Sequence, residues 1–374
     1  TYKNVNLSEN NNSIHFSFGT PSLATHLAMS LLKDSTVAVI TGTSSNLGFN
    51  IAVRLLEGLP DNKEITLVVT SRTLPKVKEV ISDIKKYIVA KIPTKVNKVE
   101  FDYLLVDFTD MVSILSAYYE LNKRYKHIDY LFINAAQGVY GGIDWTGAVL
   151  EVLQSPIEAV TNPTYKLQKV GVESGDKLGL VFQANVFGPY YFIHRIKHLL
   201  ENGGKIVWVS SLMSSPKYLS FNDLQLLRSP ASYEGSKRLV DLMHFGTYNK
   251  LEREHGIKQY LVHPGIFTSF SFFQYLNVFT YYGMLFLFYL ARFLGSPYHN
   301  ISGYIAANAP VAAALGQTKQ NCKTASACTR SGKEYLLEEE IDSTGLDDVV
   351  LYLDTLTKEW DEKLKDQIVN TRQP

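Results

Sequence analysis

Residues 36–48 read Thr36-Val37-Ala38-Val39-Ile40-Thr41-Gly42-Thr43-Ser44-Ser45-Asn46-Leu47-Gly48, and this stretch decides the fold. A short apolar run gives way to small polar residues, which open directly into helical spacing. A strand that turns so tightly into a helix needs residues that tolerate unusual backbone angles. Gly42 and Gly48 meet that need. Asn46 stands where a third glycine is expected, and Asn is the next best residue at positive φ. Such a turn lets a pyrophosphate approach the backbone, and the helix start offers it free N–H groups. A turn of this kind that binds nothing reads the same when it stands alone.

The alternation continues outward from that turn. Strands are expected at 36–40, 65–70, 103–106, 130–133, 205–209 and 259–262, and helices at 46–57, 75–88, 111–124, 177–200 and 232–254. The strand runs are apolar without polar alternation, as strands buried on both faces are. The expected fold is α/β: a Rossmann-like doubly wound parallel sheet with helices on both faces. Residues 34–374 read as one domain. Residues 137–176 and 212–231 look like insertions at strand C-terminal ends, where such sheets bind ligands. Residues 1–33 begin Asn/Ser-rich and lack the pattern of a secretory signal. They are expected to be a disordered extension, with Met29 as a candidate internal start.

The composition excludes several classes. The 374 residues are 45% hydrophobic and 20% charged, as in an ordinary globular protein. A net charge of +1 gives no reason to expect a nucleic acid. The two cysteines, Cys322 and Cys328, exclude a disulfide scaffold, and no Cys/His spacing resembles a metal site. His263 and His299 have no partner at ligand spacing, so no metal is assigned.

Strand ends carry the candidate ligand contacts. The second strand ends in Thr70-Ser71-Arg72. An acid there would hold a ribose 2′-hydroxyl, whereas a cation suits a 2′-phosphate. Arg72 therefore favours NADP(H) over NAD(H), unless it is only a solvated charge at a helix start. Asp107 accepts from adenine or begins a loop. Asn134-Ala135-Ala136 permits close packing beside a cofactor or makes a plain turn. Tyr233 and Lys237 lie four apart on one helix face. A nearby ammonium stabilises a phenolate and lowers the phenol pKa, and a phenol so tuned can protonate a carbonyl oxygen. Ser210-Ser211 ends the fifth strand, Asn185 lies on the preceding helix, and Pro264-Gly265 turns after the sixth strand.

In this order the set resembles the short-chain dehydrogenase/reductase family: the Thr41–Gly48 turn, Asp107, Asn134-Ala135-Ala136, Asn185, Ser211, Tyr233, Lys237 and Pro264-Gly265. The resemblance implies a catalytic tetrad. Tyr233 is its acid and Ser211, rather than Ser210, orients the carbonyl. Lys237 binds the ribose and tunes Tyr233, and Asn185 holds a relay water. It also implies cofactor contacts from Gly42, Ser45, Asn46, Leu47, Gly48, Ser71, Arg72, Asp107, Asn134, Ala135, Tyr233, Lys237, Pro264, Gly265 and Thr268. The departure is Asn46 in place of the family's middle glycine, which bears on the shape of the phosphate loop.

At closer range, Val69–Pro75, the Tyr233–Leu239 stretch and Trp360–Asp366 look like the fungal 3-keto-steroid reductases within that family. That likeness implies NADPH-dependent reduction of the 3-oxo group of C4-demethylation sterol intermediates to a 3β-hydroxyl, in ergosterol biosynthesis. It implies a sterol ketone substrate, a place at the endoplasmic reticulum membrane or on lipid droplets, and a cytosolic catalytic domain. The C4-demethylation complex and the oxidosqualene cyclase are its implied partners, and a homo-oligomer is usual in the family. Two alternatives stay open: a reductase of another lipid carbonyl, such as a retinoid or fatty ketone, or mainly a scaffold for sterol enzymes. The intact tetrad argues against a role that is scaffolding alone.

Between Thr268 and Ala291 there is no charged residue, and ten are Phe or Tyr: Phe270, Phe272, Phe273, Tyr275, Phe279, Tyr281, Tyr282, Phe286, Phe288 and Tyr289. The run is long enough to span a bilayer, yet Ser271, Gln274, Asn277 and Gly283 make it polar for that. A transmembrane helix, an interfacial segment and a buried lid or oligomer interface are the competing readings. The 268–294 segment is thus a candidate membrane-facing substrate segment, and deletion of 272–288 is expected to abolish membrane association. Leu353, Leu356, Trp360, Leu364 and Ile368 fit one apolar helix face, for packing on the main domain or for a partner. Trp145 either lines the pocket or packs in an ordinary loop.

Overall fold

The computed structural model describes residues 35–268 and 276–367. The expectations for 1–33, Met29, Phe270, Ser271, Phe272, Phe273, Gln274, Tyr275 and Ile368 lie outside the described residues.

The chain runs β1 (Thr36–Ile40), α1 (Asn46–Gly58), β2 (Ile65–Ser71), α2 (Leu74–Lys91), β3 (Val99–Leu105), α3 (Met111–Arg124) and β4 (Tyr130–Ile133). An inserted hairpin follows, β5 (Tyr140–Ile143) and β6 (Lys166–Gln168), enclosing α4 (Trp145–Gln154) and α5 (Pro156–Thr161). Next come α6 (Leu180–Phe182), a π-helical turn Gln183–Phe187, α7 (Gly188–Leu200), β7 (Lys205–Val209), α8 (Ser232–His255) and β8 (Lys258–His263). The last part holds β9 (Ile266–Phe267), α9 (Val278–Phe293), β10 (His299–Ile301), α10 (Gly303–Ala306), α11 (Asn308–Ala314), β11 (Lys323–Cys328), β12 (Glu334–Glu339) and α12 (Leu346–Lys363).

Eight strands form the main sheet in the order β12-β11-β8-β7-β4-β1-β2-β3. All neighbours are parallel except β11 and β12, so the expected parallel sheet carries one antiparallel edge strand. The order reverses between β1 and β4, which pair with Ala38 opposite Tyr130. That reversal is the topological switch point, and loops leaving the two strands diverge there to open a crevice.

Alternate residues of β1 explain why its pattern lacks polar alternation. Val37 and Val39 pack on one side with Leu131, Trp208, Leu239 and α12 residues Leu353 and Trp360. Ala38 and Ile40 pack on the other with Ile51, Leu55, Ile84 and Val311. Both faces are covered, so both registers must be apolar. The buried Leu353, Leu356, Trp360 and Leu364 place the C-terminal helix face on the main core.

Several boundaries differ from expectation. The third strand starts earlier, at Val99. The long helix starts at Leu180 because Lys177 takes φ 63°, outside the helical region. Strands β11 and β12 were not foreseen. Their Thr324-Ala325-Ser326-Ala327-Cys328 core is too small to read as an apolar run, yet every residue of β11 is buried. Small size is required there: Asn300 Nδ2 donates to the Ser326 carbonyl at 2.7 Å, and Ser326 Oγ to the Ala306 carbonyl at 2.7 Å.

Candidate active site

The C-terminal ends of β1, β2 and β4 are knotted together by short hydroxyl side chains. Thr41 Oγ1 accepts from the Asn134 and Ala135 amides at 2.8 and 2.9 Å. Asn134 Nδ2 returns a bond to the Thr41 carbonyl at 2.9 Å. The Gly42 amide, at φ 65°, donates to Thr70 Oγ1 at 2.9 Å. Ser45 caps α1 by accepting from the Gly48 amide at 3.0 Å. A Cβ on Gly48 would stand 2.3 Å from the Gly42 carbonyl oxygen, so the loop can fold this closely only with glycine there.

Asn46 corrects the sequence reading. It is the first residue of α1 and is not among the residues at positive φ. Its amide instead donates to the Thr268 carbonyl at 2.7 Å, tying the loop to the segment after β8. The residue replaces glycine for a cross-link and not for backbone freedom.

A cleft of about 840 Å³ runs from this loop across the sheet end. Gly42, Ser45, Asn46, Leu47, Ser71, Arg72, Asp107, Asn134, Ala135, Tyr233, Lys237 and Pro264 line it, as the expected contact set requires. Gly48 and Thr268 do not reach it: Gly48 backs the loop, and Thr268 bonds the Ile301 carbonyl through N and Oγ1. Gly265, at φ 66°, lines the neighbouring cavity instead. Arg72 is exposed at the rim without a hydrogen-bond partner among the described residues. Asp107 spends one oxygen on Thr109 N and Oγ1, at 2.9 and 2.7 Å. The cleft fits a dinucleotide. A glycine cradle that a Cβ would fill faces the amides heading α1, which have no carbonyl a turn earlier to receive them.

A second cavity of about 560 Å³ adjoins it, and its lining is mostly apolar. Trp145, Val149 and Leu153 of α4 form one side, and Gly283, Met284, Leu287 and Phe288 of α9 the other. Trp145 therefore lines the pocket. Lys166 and Glu234 are charged exceptions. Tyr140, Tyr233 and Phe267 line both cavities, so the two spaces meet at Tyr233.

Four candidate catalytic residues surround that meeting point at different depths. Ser211 lines the apolar cavity, and its Oγ accepts from the Met213 amide at 3.1 Å, leaving the O–H to donate. Ser210 borders the dinucleotide cleft and not the apolar cavity, and its Oγ is bonded to Asp241 Oδ1 at 2.5 Å. Lys237 Nζ lies 5.7 Å from the Tyr233 ring centre and donates to the Val209 carbonyl at 2.8 Å. Asn185 sits in the π-helical turn and lines neither cavity. Its Oδ1 accepts from the Gln137 amide at 2.7 Å, and its Nδ2 donates to the Gln137 carbonyl at 2.8 Å and to Ser236 Oγ at 2.9 Å.

Tyr233 is held well above the ordinary phenol value, by burial first and then by Glu234. Lys237 Nζ donates to the Val209 carbonyl, and burial, opposed by Asp241 and aided by Lys323, pushes Lys237 itself down to about 8. A phenol held protonated is a proton donor and not a base.

Other residues of the site had no sequence signal. Gln168, on β6, accepts from the Tyr233 amide at 2.9 Å and from Ser232 Oγ at 3.1 Å. It caps α8, whose own N-cap residue, Ala231, supplies no side-chain bond. Tyr140 and Lys323 likewise reach the site from segments far along the chain. Thr41 and Thr70 had a legible signal, a hydroxyl at each strand end. His263 is buried against Glu339 at 3.2 Å, and among the described residues no cluster of possible metal ligands occurs.

A family model for short chain dehydrogenase matches residues 36–274. A 3-keto-steroid reductase of Candida albicans is 99% identical over 346 residues, spanning 92% of this chain and all of that protein. The 3-keto-steroid reductases of Debaryomyces hansenii and Saccharomyces cerevisiae are 69% and 60% identical, spanning 92% and 90% of this chain and 100% and 99% of theirs. The L-sorbose reductase of Gluconobacter frateurii, solved with NADPH and L-sorbose, superposes with a TM-score of 0.51 at 16% identity. That match covers 74% of this chain and 89% of the other, and at such identity it bears on fold alone.

Proposed function

The chain belongs to the short-chain dehydrogenase family, and on that premise we propose that it reduces the 3-oxo group of C4-demethylation sterol intermediates to a 3β-hydroxyl, using NADPH. The observation that carries the reading is the placement of Tyr233. It stands where a cleft shaped for a dinucleotide meets a mostly apolar cavity, in a chain near-identical to a 3-keto-steroid reductase.

When bound, the nicotinamide supplies hydride to the carbonyl carbon. The chain's own residues handle the oxygen. Tyr233 gives its phenolic proton to the oxygen as charge develops there, and the Ser211 O–H holds that oxygen in register. Lys237 keeps two ammonium hydrogens beyond its Val209 bond for ribose hydroxyls and for Tyr233. Asn185 braces Gln137 against α8 and so supports the proton relay of the family pattern. Arg72 favours the 2′-phosphate of NADPH.

The apolar cavity opens between α4 and α9, whose outer faces are also apolar. Leu150 is 51% exposed, Phe279 88% and Phe286 66%. We read these faces as interfacial, resting on the endoplasmic reticulum surface so that a sterol ketone enters without crossing water. Among the described residues no helix is long and apolar enough to cross a membrane. α9 has 16 residues, against ~20 needed to span. The C4-demethylation complex, the oxidosqualene cyclase, lipid droplets and a homo-oligomer belong to the same reading.

The test is turnover of a 3-keto sterol in liposomes with NADPH or NADH, with the alcohol identified by mass spectrometry. A 3β-alcohol formed with NADPH and absent with Tyr233→Phe is expected. NADPH binding without any alcohol would move the substrate to another lipid carbonyl or the role to scaffolding.

A further inference from the structure

We infer that Asp241 and Lys323 are positioning residues for the reduction: as a buried ion pair they staple the turn after β7 to α8, and so set where Ser211 and Lys237 stand beside Tyr233. The inference rests on the reading of those three residues as the reducing set.

Lys323 enters from β11 with its side chain 2% exposed, and Asp241 is fully enclosed on α8. The ammonium donates to Asp241 Oδ2 at 2.9 Å, to Ser214 Oγ at 2.5 Å and to the Ser211 carbonyl at 2.7 Å. All three of its hydrogens are thereby used. Asp241 accepts in addition from Ser210 Oγ and Ser214 Oγ, each at 2.5 Å. One helical turn before Asp241, Lys237 holds the Val209 carbonyl. The three side chains thus grip the backbone or hydroxyl of every residue from Val209 to Ser211. The Ser211 hydroxyl, which makes no bond to the pair, is left facing the apolar cavity.

Stability alone does not call for this arrangement. Replacing a buried ion pair by neutral residues of like volume is often neutral or stabilising, while removing one partner is costly. α8 already packs through Leu239, Val240, Leu242 and Met243. What the pair adds is a fixed position for a short loop that apolar contacts would leave free to slide.

The charges have a readable consequence. Lys237 is held down chiefly by burial, with Asp241 opposing that effect and Lys323 adding to it. The other charged or titratable groups facing the pair are Arg238 and His244 on α8, His263 on β8 and Glu339 on β12. Those stay in place when either partner of the pair is changed. Lys323→Met removes a like charge from Lys237, so the alkaline limb of the reduction should move to higher pH. Asp241→Asn removes the countercharge, so the limb should move to lower pH.

The experiment measures sterol-ketone turnover, its pH profile, NADPH binding by fluorescence and thermal unfolding, for both single variants and for Asp241→Asn/Lys323→Met together. The double variant should unfold near the wild-type temperature and bind NADPH, yet lose about tenfold in kcat with KM for the sterol little changed, as a misplaced catalytic group does. The single variants should shift the alkaline limb in opposite directions. A double variant with wild-type kcat, or a limb unmoved in both singles, overturns the inference alone. A wild type inert toward the 3-keto sterol, or Tyr233→Phe as active as wild type, removes the reading beneath it and the inference with it.

Discussion

At Arg72 one guanidinium decides between two dinucleotides. A charge-assisted hydrogen bond to phosphate contributes about 1.5–3 kcal/mol, roughly a 10- to 100-fold change in affinity. Arg72→Glu should therefore raise KM for NADPH by roughly that factor and leave KM for NADH nearly unchanged, or lower it. Steady-state kinetics with both cofactors decide it, and an unchanged ratio would remove Arg72 from the phosphate site. The pH response of turnover follows from Lys237. Its ammonium is lost above about 8, so reduction should decline as pH rises through that value. Folding stability responds at the other end of the scale. His244 is buried neutral and held down to about 4 from 6.5, with Nε2 bonded to the Gln320 carbonyl at 2.8 Å and Nδ1 facing the Gln259 amide at 3.3 Å. The unfolded chain binds that proton first, so its contribution is present above about 6.5 and is lost as pH falls toward 4. Thermal unfolding from pH 7 to pH 4 should show this fall, and His244→Gln should shrink it. Spacing also brought single residues to one crevice, with Tyr233, Lys237 and Arg72 on the cleft and Ser211 on the cavity beside it. Tyr233, Lys237, Ser211 and Arg72 stand at strand and helix ends whose spacing is local. The Asn46 reading failed because spacing reports where a residue falls and not which of its bonds holds it there.

Among elements, α8 depends on a cap it does not own. Gln168 reaches over from the inserted hairpin to accept from the Tyr233 amide and donate to Glu234 Oε2 at 2.5 Å. Loss of a helix cap costs about 1 kcal/mol. Gln168→Ala should accordingly lower the unfolding temperature by a few degrees, and kcat should drop further than stability alone explains, because the lost bond ends on the catalytic tyrosine. Equal kcat per folded molecule would show the hairpin to be scaffolding only. Gly265 is a second element-scale constraint. A Cβ there would lie 2.5 Å from the Tyr298 carbonyl oxygen, at a φ that side chains rarely adopt. The turn at Gly265 was legible as Pro264-Gly265, but the cap was not, since Gln168 meets Tyr233 across a long stretch of chain and no periodicity records such a meeting. Strand β11 was hidden for a related reason: its Thr324–Cys328 residues are small to admit Asn300 and α10, so they carry no hydrophobic signature.

Across the whole molecule, the apolar faces of α4 and α9 border one cavity mouth. Replacing Leu150, Phe279 and Phe286 together by Ser should abolish flotation with anionic liposomes while leaving turnover of a detergent-solubilised sterol ketone within a few-fold. Undiminished flotation would place the membrane contact elsewhere. This arrangement was half visible in advance. The uncharged aromatic run marked α9, but α4 is ordinary in composition, and only the tertiary structure sets the two side by side.

The position of β11 between β8 and β12 has a further consequence, for biosynthesis. The ribosome releases β8 well before β11, so until then the nascent chain carries an unpaired strand edge beside a growing apolar sheet. Such edges recruit chaperones or seed aggregation. A polypeptide ending before Lys323 should therefore be insoluble even though every residue of the family pattern is present in it. Translation of this protein is complete in a chemical sense only when its last strands arrive, because the strand that covers the edge of β8 also brings the lysine that holds the Ser211 carbonyl.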